Sequence, residues 1–147
     1  MKQSTEMKSP MQKQAIVNKI AIDLSAVSFK PEKIRLVNAW EVNAASFKEK
    51  FASKFVATAA AILDFDEKDH DWSVMFVHEI SMPIDDLVAL ELCYMANTYL
   101  DVLERELGMH LNVLFENVFT TAIRSTLTMN GMITTTVHQF EFLISHK

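Results

Sequence analysis

Residues 72–80 constrain the fold more than any other segment, because they are short, aromatic and rich in β-branched side chains. This composition is typical of a β-strand. A strand needs a partner, and the nearest candidate is residues 51–63, which lie just before the acidic connector formed by residues 64–71. We therefore predict that 51–63 and 72–80 form a hairpin, which favours an α+β chain over an all-helical one.

Residues 32–63 fit two periodicities, and the pattern alone leaves both open. A helical face collects Val37, Trp40, Ala44, Phe47, Phe51, Phe55, Ala59 and Ile62. A strand face collects Phe51, Phe55, Ala57, Ala59, Ala61, Leu63 and Phe65. One helix of about thirty residues would be long for a small domain, and the pairing with 72–80 requires strands.

The C-terminal half predicts two helices, over residues 83–107 and 111–127. Pro83 suits a helix start, Gly108 suits the position just past a helix end, and apolar residues keep a spacing of three and four through both segments. Asn130 and Gly131 fit either a helix C-cap or a hairpin turn. The expected fold is α+β, an antiparallel sheet from the N-terminal half packed with two long C-terminal helices, and the alternative is an all-α bundle.

The length of 147 residues predicts a single domain over residues 12–147, preceded by a flexible tail over 1–11. A helix N-cap is expected at Ser9, because Pro10 and Gln12 follow it at the positions of a capping box. No apolar run reaches the roughly 18 residues of a membrane span, and no signal-peptide core is present. We expect a cytoplasmic protein that does not insert into membranes.

Charge is divided unevenly along the chain. Residues 1–60 carry a net charge of +5 and residues 61–147 a net charge of −10, which leaves −5 in total. Nucleic-acid binding favours a clustered basic face, so we do not expect a nucleic-acid partner. The asymmetry has two interpretations. Either the basic half pairs with the acidic half, within the chain or across an oligomer, or both halves are solvated surface.

Enzyme motifs are absent from the sequence. Two glycines cannot build a dinucleotide or phosphate loop, and one cysteine cannot build a disulfide or a cysteine-rich zinc site. His70, beside Asp69 and Asp71, is a candidate metal ligand, but a lone histidine in a loop is usually only a solvent-exposed residue. Glu91 on an apolar helix face and Cys93 carry no recognised catalytic pattern. We expect no enzyme activity, no catalytic residues, no metal and no cofactor.

Nine methionines and ten phenylalanines are many for a chain of this length. Most of them must fill the core, but long amphipathic helices in a small domain often leave apolar surface uncovered. Methionine adapts its shape and phenylalanine supplies area, so such a surface suits either self-association or the binding of varied peptides.

The order of these features resembles the SecB family of protein-export chaperones. Residues 19–31 are similar to the first strand of that family, residues 51–63 and 72–80 to its hairpin, and residues 82–87 to the start of its long helix. Residues 112–115 resemble its Asn-x-Leu-Phe segment, although Glu116 and Asn117 replace the Pro-Tyr that follows. The resemblance implies an acidic oligomer, with four strands followed by two helices, that holds unfolded proteins in apolar grooves.

Our functional expectation is a non-enzymatic, ATP-independent, chaperone-like protein that binds unfolded or extended apolar segments of client polypeptides and forms a homo-oligomer. The resemblance places client binding, loosely, at Phe51, Phe55, Trp72 and Phe76. The alternative is a mainly helical homodimer, a regulatory, immunity or adaptor protein, with helices 83–107 and 111–127 as its interface.

Overall fold

The computed structural model describes residues 8–28, 33–35, 41–80, 86–114 and 119–146. Its three helices are α1 (Pro10–Ser25), α2 (Ala44–Lys68) and α3 (Asp86–Leu107). Its strands are β1 (Lys33–Arg35), β2 (Glu41–Asn43), β3 (Ser73–Ile80), β4 (Leu111–Leu114), β5 (Phe119–Thr128) and β6 (Gly131–His146). The predicted α+β class is confirmed, and the all-α alternative is wrong.

Helix α1 begins where the sequence predicts a cap. The Ser9 hydroxyl accepts a hydrogen bond from the Gln12 backbone N–H at 3.1 Å, and the Gln12 side chain accepts one from the Ser9 N–H at 2.7 Å. Pro10 occupies the first helical position, where its missing N–H has no partner to lose. The helix therefore starts two residues before the domain boundary expected at residue 12.

Helix α2 overturns the predicted hairpin. Residues 51–63 lie inside it, so they are not a strand and do not pair with residues 72–80. The buried side chains Phe51, Phe55, Ala59 and Ile62 follow helical spacing, which is one of the two patterns present in the sequence. Burial of this face explains why the helix forms despite its length of 25 residues.

The predicted strand at 72–80 is confirmed as β3, but its partner comes from the other end of the chain. Strand β6 runs antiparallel to β3, with Ser73 opposite Ser145 and Ile80 opposite His138. On its other side β6 pairs first with β5 and then, from Leu143 onward, with β4. The larger sheet is therefore built mainly from the C-terminal half, not from the N-terminal half as expected. Strands β1 and β2 form a separate small hairpin.

The second predicted helix, over 111–127, is wrong. Residues 111–114 form β4, and residues 119–127 belong to β5. The apolar spacing there matches a helix, but the segment is rich in threonine and β-branched residues, and pairing with β6 outweighs its helical periodicity. Gly131 has a φ of +112° and directly follows the two-residue turn between β5 and β6. The hairpin alternative for this turn is therefore confirmed. The first predicted helix is confirmed as α3, although its expected start at Pro83 lies outside the described residues.

The core lies between the helices and one face of the sheet. On that face Phe76 of β3 stands opposite Phe142 of β6, and the two rings stack with centroids 4.7 Å apart. Phe55 of α2 approaches Phe76 to 4.3 Å between centroids. Tyr99 of α3 meets Phe55 edge-on at 5.0 Å. The two helices and the two strands thus share one aromatic cluster, which fixes their relative positions.

Ion pairs join the basic and acidic halves within the chain. The Lys13 ammonium on α1 lies 2.9 Å from an Asp64 oxygen and 2.8 Å from a Glu67 oxygen, both on α2. Hydrogen bonds to Asp64 and Glu67 raise the pKa of Lys13. Lys19 likewise approaches Glu106 of α3 at 3.5 Å. For these residues, the basic half of the chain pairs with the acidic half through contacts between helices of the same chain. Among the residues described, no helix is both long and apolar enough to cross a membrane.

We expect Phe55→Ala to destabilise the protein by about 3–5 kcal/mol, because truncation of a fully buried ring leaves a cavity in the aromatic cluster. Phe65→Ala is the matched control, since Phe65 lies on the same helix but is 43% exposed, and it should cost less than about 1 kcal/mol. Urea unfolding followed by circular dichroism measures both. Equal losses for the two variants would contradict the placement of this cluster.

Candidate functional site

The most exposed apolar feature of the described structure is the far end of the β5–β6 hairpin. The pairing of β3 with β6 ends at His138, but β6 begins at Gly131, so residues 131–137 run on with β5 as their neighbour. We call residues 122–137, the two strand ends and their turn, the hairpin arm. At the usual strand rise the arm reaches roughly 20 Å past the end of β3.

Apolar side chains of the arm point into solvent. Leu127 and Met132 are opposite each other in the register, and they are 77% and 62% exposed. Both lie on the face that the helices cover further along β6, because residues of the same parity, such as Phe140, are buried there. Ile133, on the opposite face, is also exposed. The arm therefore carries an exposed apolar pair on the face that forms the core further along β6, and the positions between Met132 and Phe140 on that face are Thr134, Thr136 and His138.

The arm also lacks the charges that normally protect a strand edge. Within residues 122–137 the sequence holds one charged residue, Arg124, and six serine or threonine residues. Soluble proteins usually guard exposed edges with lysine, proline or a bulge, since an unguarded edge pairs with other chains. The register of β5 with β6 runs without a bulge from Phe119 to Thr128. The arm is consequently a bulge-free edge, open within the described part of the chain and suited to strand addition.

The four residues predicted to bind clients lie elsewhere. Phe51 and Phe55 are fully buried, Phe76 is 2% exposed and Trp72 is 8% exposed. The structure brings the three phenylalanines together, but as core contacts and not as a surface. Sequence patterns missed the arm because residues 122–127 fit the helical spacing of the predicted 111–127 helix, and the threonine-rich residues 132–137 favoured neither helix nor strand. The signal that identifies it is the threonine-rich, nearly uncharged composition on both sides of Asn130.

A second surface is a shallow groove of about 570 Å³ between α1 and α2. Most of its lining residues are small, and they are Ala21, Ser25, Ala45, Lys48, Glu49, Ala52, Ser53 and Val56. The Lys48 ammonium donates a hydrogen bond to the Ser25 carbonyl oxygen at 3.1 Å across it. The lining holds neither a histidine nor a cysteine, so the groove offers packing space and no evident reactive group.

His70 lies in a polar cluster, although not with the neighbours that the sequence indicates. Its Nδ1 lies 3.1 Å from an Asp66 oxygen on α2, and its ring lies 5.5 Å from that of His146, between centroids. The neighbouring aspartates serve the loop instead, since Asp69 accepts a hydrogen bond from the Asp71 backbone N–H. His146 is remote in sequence, and only the pairing of β6 with β3 brings it here.

Glu91 and Cys93, the other residues with candidate chemistry, stand apart from this cluster. Both are half-buried on α3. Burial raises the pKa of the Cys93 thiol, which lowers the fraction of reactive thiolate at neutral pH. Neither residue gains a catalytic partner among the described contacts.

His78 is a buried titratable group that packs against the aromatic cluster. It is 7% exposed, its ring meets Phe51 edge-on at 5.2 Å, and within the described residues its Nδ1 has no hydrogen-bond partner. Burial, together with the positive charges of Lys54 and Lys50 on α2, lowers the pKa of His78 to about 4. His78 is therefore neutral at pH 7 and acts as a packing residue.

We expect acid to destabilise the protein through His78. The pKa is near 6.5 in the unfolded chain and about 4 in the folded one, so between these values only the unfolded state gains the proton. Stability should fall by about 2 kcal/mol from pH 7 to pH 5 through this group. In His78→Phe that part of the loss should disappear. Urea midpoints at both pH values measure it, and parallel pH profiles for the two proteins would contradict the prediction.

Comparison with known proteins finds no match to this chain among family models, curated proteins or solved structures. The resemblance to the SecB family therefore stays a prediction. Two of its implications differ from the fold, because residues 51–63 are helical and the helices and strands are interspersed along the chain. No residue role comes to this chain from a relative, and the case for function rests on the geometry of the arm.

Proposed function

We propose that this protein is a non-enzymatic, ATP-independent binding protein that takes up extended, weakly charged segments of other polypeptides along its hairpin arm. One observation carries the proposal. Residues 131–137 of β6 continue past Ile80, the last described residue of β3, as a bulge-free strand without charged residues, and its apolar side chains Met132 and Ile133 are exposed. This keeps the predicted kind of client but moves its binding site from the buried phenylalanines to the arm.

Binding would proceed by strand addition. An extended segment lying beside residues 131–137 satisfies the outward backbone N–H and C=O groups of β6, each bond contributing about 1 kcal/mol net. Main-chain pairing reads the extended conformation and not the sequence, so varied segments are accepted. A folded protein, whose strands are already paired, offers no such segment.

Apolar contacts would add affinity without strict selectivity. Leu127 and Met132 form an exposed apolar pair across the arm, and Ile133 offers a second contact on the other face. Burial of such surface contributes about 25 cal/mol per Å². The flexible thioether of Met132 adapts to side chains of different shape. This combination suits the shielding of aggregation-prone segments.

The net charge of the protein limits which client segments bind well. The chain carries a net charge of −5, so a strongly acidic segment is repelled on approach, whereas a neutral or basic one is not. The arm itself contributes Arg124 as its single charge. We therefore expect neutral or moderately basic segments to bind best, and binding of basic segments to weaken as salt screens the attraction.

The expected effect of Met132→Lys is at least tenfold weaker binding of a short fluorescein-labelled peptide that alternates valine and threonine between terminal lysines. A lysine at this position puts a positive charge on the contact surface, and natural proteins use lysine on edge strands to prevent pairing with other chains. A tenfold loss of affinity corresponds to about 1.4 kcal/mol. Fluorescence anisotropy without nucleotide measures the affinity. The matched control is Met75→Lys, on β3 and similarly exposed at 55% against 62%.

Suppression of aggregation should follow the same pattern. A protein that aggregates on dilution from denaturant, such as rhodanese, should stay soluble with the wild type and with Met75→Lys, but less so with Met132→Lys. Sedimentation velocity at rising protein concentration reports whether a second copy occupies the arm instead. The proposal fails if the peptide does not bind, or if both lysine variants bind it as the wild type does.

A further inference from the structure

Three potential metal ligands meet where the acidic connector touches the end of β6. They are Asp66 in the last turn of α2, His70 in the connector and His146 at the end of β6. Their nearest nitrogen and oxygen atoms all lie within 4.8 Å of one another. The geometry points to a binding site for a divalent transition-metal ion of the zinc class at these three side chains.

The position of Asp66 is held by a residue outside the ligand set. The Trp72 indole Nε1–H donates a hydrogen bond to the Asp66 Oδ1 atom at 2.8 Å, and Trp72 is itself buried. Such a bond from an outer residue fixes the orientation of a ligating carboxylate. The Trp72 ring also lies 6.1 Å from the His146 ring, between centroids, so one rigid side chain borders two of the ligands.

The other nearby acidic side chains have different partners, which singles out Asp66. Asp64 and Glu67 both contact the Lys13 ammonium on α1. Asp69 accepts the Asp71 N–H and so shapes the turn. These groups still make the connector strongly acidic, which raises the local concentration of cations without supplying ligands.

The donor set selects the class of ion. Two imidazoles and one carboxylate suit zinc and its neighbours in the first transition row, whereas calcium requires six to eight oxygen ligands. Tetrahedral zinc holds nitrogen and oxygen donors about 3.3 Å apart. The His70 Nδ1 and Asp66 Oδ1 atoms are already 3.1 Å apart, and no pair of ligand atoms needs to approach by more than about 1.5 Å. His70 is exposed and can move, and its contact with Asp66 is the one that the ion replaces.

A bound ion would fasten the end of β6 to the α2–β3 connection. Three protein ligands leave a fourth tetrahedral position for water. The ion binds the folded chain, in which the three groups are together, and not the unfolded one, in which residues 70 and 146 are far apart. It should therefore raise the melting temperature as its concentration rises.

The test uses the full chain without a histidine tag, stripped of metal by chelator. Isothermal titration with zinc chloride should give one site per chain with a Kd of micromolar order. His70→Ala and His146→Ala should each weaken binding at least tenfold. Asp66→Asn keeps an oxygen that accepts the Trp72 hydrogen bond but removes the negative charge, so it tests the role of the carboxylate alone. It should weaken zinc binding by a similar factor. The control is His110→Ala, whose side chain is 90% exposed. His110 precedes Leu111, the β4 partner of His146, but is not one of the three proposed ligands, so this variant should bind zinc as the wild type does.

Cobalt provides a second readout on the unmodified protein, so the result does not depend on how well a variant folds. Cobalt(II) bound by these ligands should show the intense visible absorption of a tetrahedral centre, and zinc should abolish it. Three results would each overturn the proposal: a zinc Kd weaker than about 100 μM, wild-type affinity in His146→Ala, or octahedral cobalt spectra. Peptide binding by the arm can be measured with and without zinc, so this site and the arm can fail separately.

Discussion

Strand β6 is the element on which the larger sheet depends, because each of its other strands pairs with it. It contacts β3 along one edge and β5 and then β4 along the other. Its inward residues Phe140 and Phe142 also enter the aromatic cluster against α2 and α3. One strand thus supplies both the hydrogen bonds of the sheet and a large part of its apolar face. Without β6, β3 has no strand partner and the inner face of the helices loses its cover.

The two proposed sites lie at opposite ends of that strand. At its start, β6 extends past the described part of β3, where Leu127, Met132 and Ile133 of the hairpin arm are exposed. At its end, register with β3 carries His146 to Trp72 and His70. A strand of 16 residues paired with one of 8 must extend beyond it, so the length difference itself creates the arm. The same register sets which residues gather at the other end.

Local signals in the sequence predicted several elements correctly. The capping residues located the start of α1, strand composition located β3, and Gly108 marked the end of α3. What failed were inferences about long-range partners. The strand at 72–80 needed a neighbour, and the sequence offered 51–63 as the nearest one, whereas β6 lies some sixty residues further on. Hydrophobic periodicity did not separate strand from helix at 111–127, because pairing with β6 decided the outcome. Both candidate sites depend on the pairing of β3 with β6, so patterns confined to short stretches of sequence could not predict either site.

The distance along the chain between β3 and β6 has a kinetic consequence. Bringing Ser73 beside Ser145 closes a long loop, and the entropy of that closure is lost before any contact between β3 and β6 forms. Chains dominated by such remote contacts reach the native state slowly, on the scale of milliseconds to seconds, while helices form within microseconds. If the helices form before β6 reaches β3, Phe76 is without its stacking partner Phe142 during that interval and is open to a neighbouring chain.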